Sequence, residues 1–150
     1  MPSINFTFNS VEFDFDLRND QSFWYCEANY KNNKVIISAK KDIFEDERTI
    51  EKLKSFCKII SLNIEKIQEK SKLWIVRLYN ELGSFEMDEG YFGKEIFIKL
   101  VSIEIETFFD FEVNLPFFSK RDLIMDINHK YYVMFKSINE DVFVEGVHKD

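Results

Sequence analysis

The sequence predicts an α+β fold: an antiparallel sheet from N- and C-terminal strands, with a central helical layer packed on one face. Two observations carry the prediction. Apolar residues alternate with period two over the first forty residues, change to a helical period from Asp46, and alternate again beyond Leu100. Strands, then helices, then strands is the order of a segregated α+β domain, not of a parallel sheet built from β-α units. A third observation sets the organisation: the 150 residues hold four Gly and two Pro, with no repeat and no linker-like stretch. One domain over residues 1–150 is therefore expected.

The N-terminal strands follow from side-chain parity. Ile4, Phe6 and Phe8 point one way, with Asn5 and Thr7 opposite; after Asn9-Ser10, Val11, Phe13, Phe15 and Leu17 alternate with Glu12, Asp14 and Asp16. Arg18 to Ser22 reads as a loop. Phe23–Tyr30 and Val35–Ala39 then read as a hairpin centred on Asn32-Asn33, because Asn tolerates the positive φ of a tight turn. That centring sets Tyr30 opposite Val35, Ala28 opposite Ile37 and Cys26 opposite Ala39.

From Asp46 the apolar residues Ile50, Leu53, Cys57, Ile60, Ile64 and Ile67 recur at helical spacing, widened by Phe56. Glu45-Asp46-Glu47 suits the positive end of a helix dipole. A further helical stretch carries Leu73, Trp74, Leu78 and Leu82, with Ser71 as a cap and Gly83 past its end. One bent helix and two separate ones both satisfy this pattern. Asp88-Glu89 is expected to open a third helix bearing Phe92, Ile96, Phe97 and Leu100, although Gly90 and Gly93 oppose it. Alternation returns with Val101, Ile103 and Ile105, then Phe109, Phe111, Val113 and Leu115, which fit one long strand or a hairpin. Pro116 ends that region. Tyr131–Phe135 and Val142–Gly146 supply the last strands.

Composition narrows function. A net charge of -7 repels phosphate backbones, which argues against nucleic acid as a partner. No apolar run reaches the roughly 18 residues of a membrane span, and the start lacks a signal-peptide pattern, so a cytoplasmic protein is expected. Two Cys and two His leave little for a metal, cofactor or catalytic site, and none is expected. Cys26 and Cys57 lie on apolar stripes and read as small buried hydrophobes. His129 and His148 sit in no nucleophile motif, and His148 lies near the chain end. Gly90-Tyr91-Phe92-Gly93 lacks the features of a phosphate-cradling loop. Trp24, Trp74 and most of the 17 Phe fall on apolar parities and read as core, with an aromatic ligand surface as the competing reading.

The acids are distributed unevenly. Residues 101–150 hold ten acids against five bases, and Glu104, Glu106, Asp110 and Glu112 share one strand parity there. A three-residue loop would set Glu106 opposite Asp110 and Glu104 opposite Glu112, a destabilising arrangement that one continuous strand would avoid. The four carboxylates are candidate partner-binding residues, able to steer a basic protein.

Several landmarks occur together: Phe23-Trp24-Tyr25 opening a hairpin, Leu78-Tyr79-Asn80-Glu81 closing a long helix, the expected helix at Phe92, Leu100-Val101-Ser102-Ile103 entering a strand, and Glu145-Gly146 ending a late one. This order is similar to a family of short bacterial proteins classed as a domain of unknown function, over about residues 23 to 146. That family pattern has a Gly-His pair before the penultimate strand; this chain has Asn128-His129 there. The resemblance implies an acidic cytoplasmic protein like those that neutralise bacterial toxins. The expected function is therefore non-catalytic binding, as a monomer or weak homodimer, with a basic toxin as partner. The alternatives are a small-ligand or regulatory module with an apolar pocket between helices and sheet, and a hydrolase using His129 with a carboxylate.

Overall fold

The alternating segments become strands that pair in chain order. A computed structural model of the chain describes residues 3–18, 23–40, 49–82, 92–103, 108–116 and 130–150. Four strands, β1 (Ser3–Phe8), β2 (Val11–Arg18), β3 (Phe23–Tyr30) and β4 (Asn33–Lys40), precede one helix, α1 (Thr49–Leu82). Four more follow: β5 (Glu95–Ile103), β6 (Phe109–Asn114), β7 (Tyr131–Ile138) and β8 (Asp141–Lys149). They form one eight-stranded sheet in the order β1 to β8, antiparallel except for β4 and β5. The α+β reading stands in this form: a mostly antiparallel sheet with one helix on one face.

Two tight turns show why the register is what it is. Asn9 and Ser10 both take positive φ, 51° and 65°, the twist that suits a two-residue hairpin. At β3–β4 the left-handed residue is Lys31, with φ 53°, so the turn is Lys31-Asn32 and not Asn32-Asn33. Ala28 therefore faces Val35, Cys26 faces Ile37 and Trp24 faces Ala39. The correction moves the pairing by two residues, which leaves every side chain on the face expected of it.

The helical layer is simpler than the sequence suggests. α1 runs through Ser71 without a break, because Ile64, Ile67, Ser71, Ile75 and Tyr79 continue one buried stripe. Ser71 is thus an interior helix residue with a buried, unpartnered Oγ, not a cap. The expected third helix is corrected as well. Residues 95–103 form β5, where Ile96, Ile98 and Leu100 point inward and alternate with outward Phe97 and Lys99. Pairing along β4 fixes this choice: the helix-like spacing of Phe92, Ile96 and Leu100 is a subset of a period-two pattern. Asp88, Glu89 and Gly90 lie outside the described residues.

In a flat sheet of this order the β1–β2 and β7–β8 turns would lie at opposite ends of the strands as well as six strand spacings apart, so more than about 29 Å would separate them. The hydrogen bonds of α1 show otherwise. Asn9 in the first turn donates Nδ2 to Ser61 Oγ at 2.9 Å, and Asn63 donates Nδ2 to the carbonyl of Glu140 in the last turn at 3.0 Å. Ser61 and Asn63 are two residues apart on a helix roughly 10–12 Å across. The two hairpin tips therefore stand about one helix width apart, and the sheet is strongly twisted and rolled around α1. The third tip joins them: Tyr30 donates its hydroxyl to Glu65 at 2.9 Å, Lys31 pairs with the same carboxylate, and Gln68 donates to Asn33 Oδ1 at 3.3 Å.

Being wrapped, the middle of α1 is buried almost all round, from Phe56 to Ile64, with Lys58 and Leu62 outside. Phe56 meets Phe109 and Phe111 at ring-centre distances of 5.3 and 5.5 Å, and Phe111 stacks on Phe135 at 5.3 Å. Tyr79 meets Tyr131 edge-on at 6.0 Å. Trp24 is buried in this core, and Trp74 is half-buried at its margin with Arg77 over its ring. Core filling explains most of the described phenylalanines. No helix of the described residues is long and apolar enough to cross a membrane.

Candidate functional site

With α1 and the core rings on the inner face, the outward parity of each strand makes up the other face of the sheet. On β2 that parity is Glu12, Asp14 and Asp16, all exposed, and Glu27 extends the row onto β3 directly opposite Asp14. Like charges facing each other are destabilising unless something is shared between them. Here Asn5 donates its amide to both Glu12, at 2.9 Å, and Asp14, at 3.0 Å. Glu27 accepts from Tyr25 at 3.0 Å and pairs with Lys34 at 3.2 Å, which places that lysine on the far side of Glu27 from the three β2 carboxylates. Segment counting hides this stripe, because the first forty residues carry nearly balanced charge; the period-two alternation of Glu12, Asp14 and Asp16 is the signal that could have found it.

Of the four acids singled out by sequence, Glu104 and Glu106 lie outside the described residues. Asp110 and Glu112 occupy the outward parity of β6, as expected. The anticipated carboxylate-to-carboxylate pairing does not occur: Ser102 faces Asp110 and Lys99 faces Glu112. The reason is a bulge at Val101 together with a connection longer than three residues, which make residues 95–114 a hairpin of different register. Ser102 donates its hydroxyl to Asp110 Oδ2 at 2.9 Å, while Asp110 Oδ1 is buried and accepts no hydrogen bond. Lys136 lies 3.9 Å from Asp110 and 3.5 Å from Glu145, one cation between two carboxylates. Part of the carboxylate charge on this ribbon is thus met by the protein's own lysine.

Two shallow hollows open on the outer face. The first, about 130 Å³, has an apolar lining of Tyr25, Ile36, Phe97 and Tyr132, with Ser38, Lys99, Glu112 and Asn114 at its edges. Ile36 is nearly buried although it points away from α1. The second, about 220 Å³, is bounded by Asp110, Glu112, Lys136 and Glu145, with Val101 and Met134 as apolar walls. Bulges in both β5 and β8 border it. Glu112 lines both hollows.

His148 is held within β8 rather than fraying, and Asp150 N donates to Lys130 O at 2.8 Å just beyond it. Its ring stacks on Tyr132 at 5.3 Å, and its Nε2 is 4.0 Å from Glu112, too far for a hydrogen bond. Burial, aided by the Asp150 and Glu112 carboxylates, keeps the Tyr132 hydroxyl protonated beyond the usual tyrosine range. His129 lies outside the described residues. Both cysteines are buried in the core between sheet and helix: desolvation pushes the Cys26 thiol up to about 12 and drives Cys57 well above its ordinary value. Among the described residues no group of three His, Cys, Asp or Glu is placed to hold a metal ion. Among the described residues, the side of α1 toward the sheet packs on the aromatic and aliphatic core.

No family model matches the chain, and no curated protein or solved structure matches it.

Proposed function

We propose that this is a non-catalytic binding protein whose acidic outer sheet face covers a basic protein, as an immunity-type protein covers a bacterial toxin. The observation that carries the reading is the exposed carboxylate row Glu12, Asp14 and Asp16 on β2, with Glu27 of β3 opposite its middle and paired to Lys34. Carboxylates in such a row add their fields, which steers a cationic partner and raises its association rate. Asp110, Glu112 and Glu145 extend the same sign across the far side of the sheet. Buried thiols with raised pKa are poor nucleophiles, which fits a role without bond-making.

The test is differential isolation of partners from a lysate of the source cells. The wild-type chain and the triple variant Glu12→Lys, Asp14→Lys, Asp16→Lys serve as parallel baits. A basic protein retained by the first and lost from the second is expected. Equal retention by both baits, or retention only of acidic proteins, would contradict the reading.

A further inference from the structure

The two outer hollows adjoin one another, share Glu112, and differ in character: one is apolar, the other anionic. We infer that together they seat a helix of the basic partner through one large apolar side chain and one arginine or lysine a helical turn away. This deepens the binding reading above and rests on it.

Backbone chemistry, an apolar floor and charge each favour such a segment. The strands beneath the hollows, β4 to β7, are interior strands paired on both sides apart from the bulge at Val101, with Tyr25 of β3 and Glu145 of β8 at the margins. Such a face offers a visitor side chains but few main-chain hydrogen bonds. A segment that buries its backbone there must satisfy its own N–H and C=O groups, which a helix does and an extended strand does not. The second concerns the apolar hollow. Val35-Ile36-Ile37 and Ile96-Phe97-Ile98 are apolar on both parities, the pattern of parallel strands covered on both faces. α1 and the core rings cover the inner parity; Ile36 and Phe97 floor the outer one, flanked by the rings of Tyr25 and Tyr132. A pocket of this kind takes a single hydrophobic anchor.

The third is charge complementarity. The second hollow sets three carboxylates against the ammonium of Lys136, and with Lys99 across from Glu112 the pair of hollows still carries one more carboxylate than ammonium. A guanidinium, with five donors in a planar fork, can meet the accessible Glu112 and Glu145 carboxylates and supplies the missing charge. The hollows adjoin at Glu112, and side chains three or four apart on a helix leave the same face, with an arginine or lysine long enough to reach well beyond its Cβ.

The experiment is a titration of the isotopically labelled full chain, read by amide and side-chain NMR shifts, with defined peptides. The parent probe is an alanine-glutamine helix of about sixteen residues carrying one Leu and, four residues later, one Arg. Shifts centred on Phe97, Glu112, Tyr132 and Met134 are expected. Changing the peptide's Arg to Gln or its Leu to Ala should weaken binding at least about fivefold. Glu112→Gln in the protein should weaken the parent peptide similarly, yet leave the Arg-free peptide unaffected. Because the peptide substitutions do not touch the protein, they hold even if a protein variant fails to fold. Equal binding of all three peptides overturns the inference. Shifts confined to the Glu12, Asp14 and Asp16 strand also overturn it, while sparing the acidic-face reading. If a deca-lysine peptide moves no outer-face resonance at all, both readings fall. Concentration-dependent dimers abolished by Arg77→Glu would assign the hollows to a second copy, whose Leu73 and Arg77 are exposed one turn apart, and would equally overturn it.

Discussion

The rolled sheet depends on Asn63, and its removal is a quantitative test of the roll. Its Nδ2 donates to the carbonyl of Ile59 at 2.8 Å and to that of Glu140 at 3.0 Å, from a side chain that is buried. Ile59 O belongs to the helix, so the tertiary hydrogen bond that Asn63→Ala breaks is the one to Glu140. An unmade hydrogen bond of a largely buried group costs about 1–3 kcal/mol. For a chain of this size each kcal/mol moves the melting temperature by roughly 2–4 °C, so a fall of about 2–12 °C is expected. The neighbouring Leu62→Ala, at an exposed position, sets the baseline, within about 0.5 kcal/mol for a surface change. Asn9→Ala breaks the other turn's bond to α1, the one to Ser61. If one helix turn clamps both hairpins, the double variant should depart from additivity by at least about 0.5 kcal/mol. Differential scanning calorimetry on these variants and the wild type supplies the numbers. An Asn63→Ala protein as stable as Leu62→Ala, with fully additive effects, would refute the rolled-sheet argument.

The remaining predictions concern the core, the thiols and the surface pairs. Phe56→Ala removes a fully buried ring packed on Phe109 and Phe111, and should cost about 3–5 kcal/mol in urea unfolding; a loss under about 1 kcal/mol would place the helix elsewhere. Neither Cys26 nor Cys57 should react with a disulfide reagent near pH 8 until the chain is unfolded, and rapid labelling of the native protein would contradict their burial. Because the folded Cys26 thiol titrates near 12 instead of 9.0, its contribution is complete below 9.0 and is lost as pH rises toward 12. Cys26→Ala should therefore flatten the alkaline limb of stability, as seen by circular dichroism. The hydrogen bond from Lys66 holds the Asp141 carboxyl below its ordinary 3.8, and the bond from Lys31, with that from Tyr30, does the same for Glu65 below 4.5. These contributions are present above those values and disappear as pH falls through the lower folded ones. Thermal melts of Lys66→Met should lose less stability on acidification than wild type, and an identical acid limb would remove the pair from the account.

How much of this is legible in the sequence depends on whether the deciding interaction is local. Side-chain parity alone places Phe6, Phe13, Phe15, Cys26, Ile37, Phe111 and Val113 inward, because period two needs no knowledge of the partner strand. The hairpin turn lies one position from the expected one and its pairing two, since positive φ settles on Lys31 rather than on an asparagine. β5 reads as a helix in sequence because Phe92, Ile96 and Leu100 fit both periods, and pairing along β4 decides between them. The roll of the sheet has no local signature at all. It is written in Ser61 and Asn63, two polar residues on a buried helix stretch whose partners lie in remote turns. For the candidate site, the outward parity of Asp110 and Glu112 is legible, whereas their neighbours are not, because the Val101 bulge resets the register. The stripe on β2 is visible residue by residue but disappears in segment totals.

Salt dependence of association tests the central claim most directly. With the basic protein recovered on the wild-type bait, stopped-flow mixing should show an association rate falling at least about tenfold between low salt and physiological ionic strength, where the screening length contracts to about 8 Å. The Glu12→Lys, Asp14→Lys, Asp16→Lys variant should associate slowly at both. A rate that ignores salt, and is the same in the variant, would show that the acidic face does not bring the partner in.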